Sequence, residues 1–277
     1  MTRDARVREI AAEYAALPQV LAVARGGSGA AGTADEYSDI DLYVYSREEV
    51  PVKARRAIAA RRGSRFEVDN RWWESGDEWL ERGDGPHIDV MFRRAADFEN
   101  HLTGLLEHFE ARNGYSTALW HNLRASEVLF DREGWLTDLQ RRADLPYPEE
   151  LARAIIHRNF PLLRGAFGAY PNQIGLAVRR GDLVSVNHRL AELLASYVDV
   201  LFALNRRPHP GEKRLLTLAG RLPLLPPDFV PQVERLLSFT SGTLNEVPGQ
   251  VHRLVDGLAE LLAEHGQLPG AWGEESP

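Results

Sequence analysis

The sequence contains no cysteine. Disulfide staples, thiolate metal sites and a cysteine nucleophile are thereby excluded, and the fold must stand on its hydrophobic core. Long apolar runs are missing as well: none approaches the roughly 18 residues that a membrane span requires. The segment Met1–Ile10 mixes both charge signs and has no apolar h-region, so a cytoplasmic location without a membrane partner is the expectation. Positive charge is also in short supply. The chain carries 33 Lys and Arg against 40 Asp and Glu, a net charge of −7. That balance disfavours a polynucleotide-binding surface, which is normally basic, and suits a small cationic partner better.

What is present is ordinary for a globular protein. In 277 residues, 44% are hydrophobic and 26% charged, enough for two modest domains and too apolar for a disordered chain.

Chemistry concentrates early in the chain. Val20–Ala24 is a short apolar strand running into Gly26-Gly27-Ser28, and ten residues later follows Asp39-Ile40-Asp41, leading Leu42-Tyr43-Val44-Tyr45. Alternation along a strand puts Asp39 and Asp41 on one face and Ile40, Leu42 and Val44 on the other. Two carboxylates about 4 Å apart repel by roughly 4 kcal/mol at an effective dielectric near 20, so a divalent cation is the natural occupant between them. The Gly-Gly-Ser turn can expose backbone amides as an anion nest, with the Ser28 hydroxyl as a further donor. A third acid, Asp89, stands in His87-Ile-Asp-Val-Met-Phe92 with the same in-and-out alternation. Three acids beside a phosphate cradle is the layout that two-metal phosphoryl or nucleotidyl transfer needs.

These residues resemble the signature of the DNA polymerase β-like nucleotidyltransferase superfamily: Gly27-Ser28, a ten-residue gap, Asp39-x-Asp41 and a later lone Asp89. Within it the chain is most similar to the small-molecule branch, the aminoglycoside and lincosamide nucleotidyltransferases. The likeness is sharp over residues 20–92. A weaker match, Ala203–Arg214, is similar to a lysine-bearing segment of the helical domain of such enzymes. The resemblance implies an α+β protein: an N-terminal nucleotidyltransferase domain over 1–145, a mixed sheet with helices, then an all-α helical bundle over 146–277. It implies Asp39, Asp41 and Asp89 as catalytic ligands of two Mg2+ ions, and Gly27, Ser28 and Lys213 as phosphate-binding residues for ATP or another nucleoside triphosphate. The implied reaction moves a nucleoside monophosphate, AMP from ATP, to a hydroxyl of a small cationic acceptor in the manner of antibiotic-resistance enzymes, releasing pyrophosphate. A nucleotide sensor or antitoxin-type module on the same fold, and an AMP-transferase acting on protein, are the competing readings. Many relatives carry Arg or Lys just after the Gly-Ser pair, where this chain has Gly29, Ala30 and Ala31. Arg25 or Lys213 can supply the missing charge.

Elsewhere the pattern predicts helices over 4–17, 48–62, 98–110, 149–168 (kinked or split at Pro161), 183–204, 212–220 and 249–264, and strands at 65–69 and 126–132. The basic run Lys53–Arg62 reads as a solvated helix face. Trp72–Asp84, with five acids against one arginine, reads either as an exposed connection with core tryptophans or as an acidic, aromatic wall for an amine-rich substrate. His87, on the same strand face as Asp89, reads either as a contact to substrate or metal or, more commonly for a lone histidine on a strand, as a histidine satisfied by a neighbour. Glu67, Asp69, Glu192 and Asp199 are candidate general bases that spacing does not rank. Pro146-Tyr-Pro148 reads as the domain boundary.

Overall fold

The computed structural model of the chain describes residues 2–26, 39–72, 74–83 and 85–270. Gly27 and Ser28, like Trp73 and Asp84, lie outside the described residues. The fold is α+β. Two compact units emerge, one of residues 1–103 and 120–145, the other of residues 104–119 and 146–277. Residues 104–119 group with the helical unit.

The first unit is built on a mixed six-stranded sheet: β1 (Val20–Arg25), β2 (Ile40–Ser46), β3 (Gly63–Asn70), β4 (Gly76–Glu81), β5 (His87–Arg94) and β6 (Glu127–Asp131). Its order is β3-β4-β5-β2-β1-β6. Among the described residues only β2 and β5 run parallel, and their register sets Asp41 against Asp89. One face of the sheet, with Ile40, Leu42, Val44, Trp79, Ile88 and Val90, is buried beneath the helices Arg3–Ala15 and Val52–Arg62 through Val7, Ile10, Tyr14 and Ile58. On the opposite face, Tyr45 packs edge-on to Phe98 and tilted to Trp135, with ring centroids 5.0 and 5.3 Å apart. Along β2 that second face thus passes from covered aromatic at Tyr45 to half-exposed acid at Asp41.

Two expectations need correction here. Gly76–Glu81 is not an exposed connection. It is strand β4, between β3 and β5, with Asp77, Trp79 and Glu81 turned inward and Glu78 and Leu80 outward. Buried acids disguised the alternation, because burial of a carboxylate requires a partner that the local sequence does not show. The partner of Asp77 is Arg55, which departs from the expected solvated face: Arg55 is 1% exposed and Asp77 0%. The guanidinium Nε donates to both Asp77 oxygens at 3.1 and 3.0 Å and Nη2 to Oδ1 at 2.6 Å, while the group lies 3.9 Å over the Phe92 ring. The helix carrying it starts at Val52, after Pro51, so Glu48 and Glu49 precede it.

The second unit is helical: Glu149–Leu163, Tyr170–Arg179, Leu183–Leu204, Leu215–Ala219, Phe229–Leu237 and Val247–Glu264. The apolar stripe of Leu183–Leu204 forms the predicted helix, its N-cap Asp182 accepting from Ser185 N–H. Pro161 neither splits nor ends its helix, because it sits in the last turn, where a missing N–H costs one hydrogen bond. The helices Tyr170–Arg179 and Phe229–Leu237 were not anticipated; prolines at 171, 226, 227 and 231 mask their periodicity. Among the described residues, no helix is long and apolar enough to cross a membrane.

Candidate active site

Register brings the acids together. Asp41 on β2 pairs with Asp89 on β5, Asp89 with Glu78 on β4, and Glu78 with Glu67 on β3. Directly paired residues project from the same side of a sheet, at a strand spacing of about 4.8 Å. Four carboxylates therefore form a row across four adjacent strands, Asp41, Asp89 and Glu78 half-buried and Glu67 exposed. Like charges at about 5 Å repel by roughly 3 kcal/mol at an effective dielectric near 20. The strain shows on the central acid. Burial, then Glu78 and Asp41, push the Asp89 carboxyl up to about 6, with His87 opposing the rise and Asp39 adding to it.

Asp39 lies just ahead of β2, its side chain 56% exposed. Its carbonyl oxygen accepts from Arg3 Nη2 at 2.8 Å, which ties the start of β2 to the first helix. His87 stands between two acids, Nδ1 3.6 Å from Asp39 and Nε2 3.6 Å from Glu78. Those separations suit ion pairs and exceed hydrogen-bond length. The neighbour expected for His87 is therefore a pair of carboxylates.

The end of β1 is held at the same place. Gly26 N–H donates to the Asp41 carbonyl at 2.9 Å. A Cβ on residue 26 would come within 2.3 Å of Tyr43 Cε2, and the Tyr43 ring cannot easily retreat, because Arg93 lies 4.1 Å over it and is itself fixed by Glu74 at 2.8 and 3.0 Å. Glycine at 26 is thus a packing requirement that brings β1 out beside Asp41. Gly27 and Ser28 continue from there, outside the described residues.

Charge compensation separates the remaining candidates. Arg25 forms ion pairs with Asp4 at 2.7 Å and with Glu127, and its side chain is 17% exposed. It is committed to neutralising its own neighbours, which removes it as a source of charge for a polyphosphate. Lys213 is exposed, just ahead of the helix Leu215–Ala219. Of the four possible bases, Asp199 is buried in the helical unit and Glu192 accepts from the Tyr170 hydroxyl. Asp69 faces Arg55 and Arg71, which leaves Glu67 on the acid row. Glu78 is the residue that sequence reading passed over, since only the β4 register reveals it.

Among the described residues, no three Asp, Glu or His side chains already converge as a ligand shell. The acids stand as a row, and the fit to a cation rests on chemistry. The donors are hard oxygens without thiolate, which favour Mg2+ over zinc, and the Asp89 carboxyl, raised by burial and then by repulsion from Glu78 and Asp41, is one whose ionised form a cation would stabilise. In metal-free protein the same repulsion opposes folding. A carboxyl whose folded pKa lies above its unfolded value imposes its penalty fully above the folded pKa and loses it as pH falls to the unfolded one. Asp89→Asn, treated with chelator, is therefore expected to melt a few degrees above wild type at pH 8, with the gap closing between pH 6 and pH 4. Differential scanning calorimetry across that range reads the effect, and an equal or lower melting temperature at pH 8 contradicts it.

Residues 6–111 match the family model described as a nucleotidyltransferase domain, and residues 116–215 match one described as a domain of unknown function, DUF4037. No curated protein matches the sequence. Among solved structures, a nucleotidyltransferase-like protein from Exiguobacterium sibiricum is 14% identical, with a TM-score of 0.45, over 95% of this chain and 80% of that one. A CCA-adding enzyme in complex with ATP is 11% identical, with a TM-score of 0.32, over 99% and 87%.

Proposed function

We propose that the protein, whose residues 6–111 match the nucleotidyltransferase-domain family model, transfers a nucleoside monophosphate, AMP from ATP, to a hydroxyl of a small cationic acceptor and releases pyrophosphate. The observation that carries this reading is the in-register pairing of Asp41 with Asp89 on parallel strands, continued by Glu78.

Asp39, Asp41 and Asp89 are the residues that would hold Mg2+, two ions in the full site. Bound there, the metal supplies charge neutralisation for the attacking oxygen and for the leaving pyrophosphate. The chain's own groups do the rest. Gly27, Ser28 and Lys213 are the proposed phosphate-binding residues, amides and hydroxyl as donors and the ammonium as a point charge. The acceptor hydroxyl gives its proton to a carboxylate of the row as its oxygen bonds to the α-phosphorus, and the bond from that phosphorus to the bridging oxygen breaks with pyrophosphate as the leaving group. Beyond Asp89, the row continues to Glu78 and Glu67, and the largely exposed Trp72 donates its indole N–H to Glu67 at 3.1 Å. Acids flanked by an exposed indole suit an ammonium-bearing sugar, which gains both charge and ring contact.

The test is pyrophosphate release and acceptor labelling with α-labelled nucleoside triphosphates, Mg2+ and a panel of amino-sugar hydroxyl acceptors. Transfer that requires both Mg2+ and a cationic acceptor is the expected outcome. Labelling of protein in a whole lysate in place of the panel would move the reading to a protein AMP-transferase. Nucleotide binding with no transfer in either assay would leave a sensor and end the enzyme reading.

A further inference from the structure

The sheet holds the two acids of Asp39-Ile40-Asp41 to different degrees. Asp41 lies inside the ladder, paired with Asp89 on β5, and its carbonyl accepts from Gly26 N–H at the end of β1. Asp39 lies outside it. Among the described residues, the register with β5 begins at Ile40 opposite Ile88, and the register with β1 reaches only to Leu42 opposite Arg25. Both carboxylates can face one cation only if the chain stays extended through Asp39, because alternation of side chains belongs to extended backbone. The peptide plane that follows Asp39 sets that conformation. Its carbonyl oxygen is the atom that Arg3 Nη2 grips at 2.8 Å, across 36 positions of sequence.

Arg3 reaches out from a fixed base. It opens the helix Arg3–Ala15, whose N-cap Thr2 accepts from Ala5 N–H at 3.2 Å through Oγ1. The next residue, Asp4, is ion-paired at 2.7 Å with Arg25 at the end of β1, and Arg25 is paired in turn with Glu127 of β6. Further along the helix, Val7 and Ile10 are buried in the core beneath the sheet. The first turn is thus bolted to β1 beside Gly26, and one side chain extends from it to the start of β2. A guanidinium is a planar, directional donor, and a hydrogen bond from a charged donor is stronger than one between neutral groups. Electrostatics alone would count against this neighbour, since a positive group beside Asp39 lowers the attraction of the acids for a metal ion. What Arg3 adds is geometry.

We propose that Arg3 is a positioning residue of the metal site: by holding the Asp39 carbonyl, it keeps the Asp39 carboxylate turned to the same cation as Asp41. This rests on the reading of Asp39 and Asp41 as Mg2+ ligands and adds what sets the first of them. Arg3, Arg25, Asp39 and Asp41 all belong to the sheet unit. Lysine at position 3 would keep the charge and an ammonium donor; alanine would keep neither.

The sign of the effect separates geometry from charge. Mn2+, without nucleotide, is titrated into full-length wild type, Arg3→Ala, Arg3→Lys and Asp41→Asn, with bound metal read by electron paramagnetic resonance. Loss of a group that orients a metal ligand weakens metal binding by about 10–100-fold, so Arg3→Ala is expected to hold manganese at least about tenfold more weakly than wild type. Arg3→Lys is expected to recover most of that loss. A surface charge with no positioning role gives the reverse: its removal leaves the acids more negative, and Arg3→Ala then binds manganese as tightly as wild type or more tightly. That result overturns the inference and leaves the metal site standing. Urea unfolding midpoints of both Arg3 variants are expected to match wild type, since the bond is exposed. Weaker manganese binding that comes with a lower midpoint in both variants also overturns the inference, because Arg3 would then serve the stability of the helix. Manganese held by Asp41→Asn as tightly as by wild type, or not held by wild type at all, removes the metal reading on which the inference rests.

Discussion

Asp41→Asn is expected to lower nucleotidyl transfer by about a thousandfold or more while leaving the protein folded. Metal-borne charge stabilisation amounts to several kcal/mol, and about 4 kcal/mol corresponds to that factor in rate. The substitution removes one anion at the point where the row is most crowded, beside Asp89, and leaves a near-isosteric amide. Folding therefore loses nothing that packing supplied, and gains relief from repulsion. Steady-state pyrophosphate release beside a urea unfolding curve reads both halves. Turnover within tenfold of wild type would show that Asp41 holds nothing the reaction needs.

Asp77→Ala is expected to have the opposite profile. Asp77 precedes Glu78 on β4, yet it points to the other face and is the buried partner of Arg55. Removing one member of a buried ion pair leaves an uncompensated charge and costs about 3–5 kcal/mol, a large fraction of a typical domain stability of about 5–15 kcal/mol. The Asp69 N–H also loses its acceptor, and Arg55, stacked on Phe92, is left with only the more distant Asp69 carboxylate at 3.6 Å. Chemical denaturation should show the unfolding midpoint fall steeply. Replacing both partners by apolar residues, Arg55→Met with Asp77→Leu, should be much milder, because no unpaired charge is then left inside. A midpoint within the scatter of wild type for Asp77→Ala would mean that the pair is not buried in solution.

These neighbouring residues show why some of the molecule was readable in one dimension and some was not. Asp39-Ile-Asp41 and the Asp89 strand announce themselves, because alternation with Ile40, Leu42, Ile88 and Val90 is a local pattern whose apolar face has only one place to go. The long stripe of Leu183–Leu204 is legible for the same reason. Strand β4 was not, since its inward positions carry Asp77 and Glu81, whose partners Arg55 and Arg62 come from a different helix. Glu78 was hidden with it: only the antiparallel register beside β5 turns a charged connection into a fourth member of the row. Arg25 looked available for phosphate and is not, because Asp4 and Glu127 approach it from the first helix and the edge strand. Local periodicity carries strands and helices; compensation of charge is a property of the assembled fold.

The most direct test is capture of a divalent cation at the acid row. Electron paramagnetic resonance of Mn2+ with the protein and α,β-methylene-ATP should show bound manganese that Mg2+ displaces, and this signal should be lost in both Asp41→Asn and Asp89→Asn. Manganese bound as tightly by those two variants as by wild type would put the metal, and with it the chemistry, somewhere else in the protein.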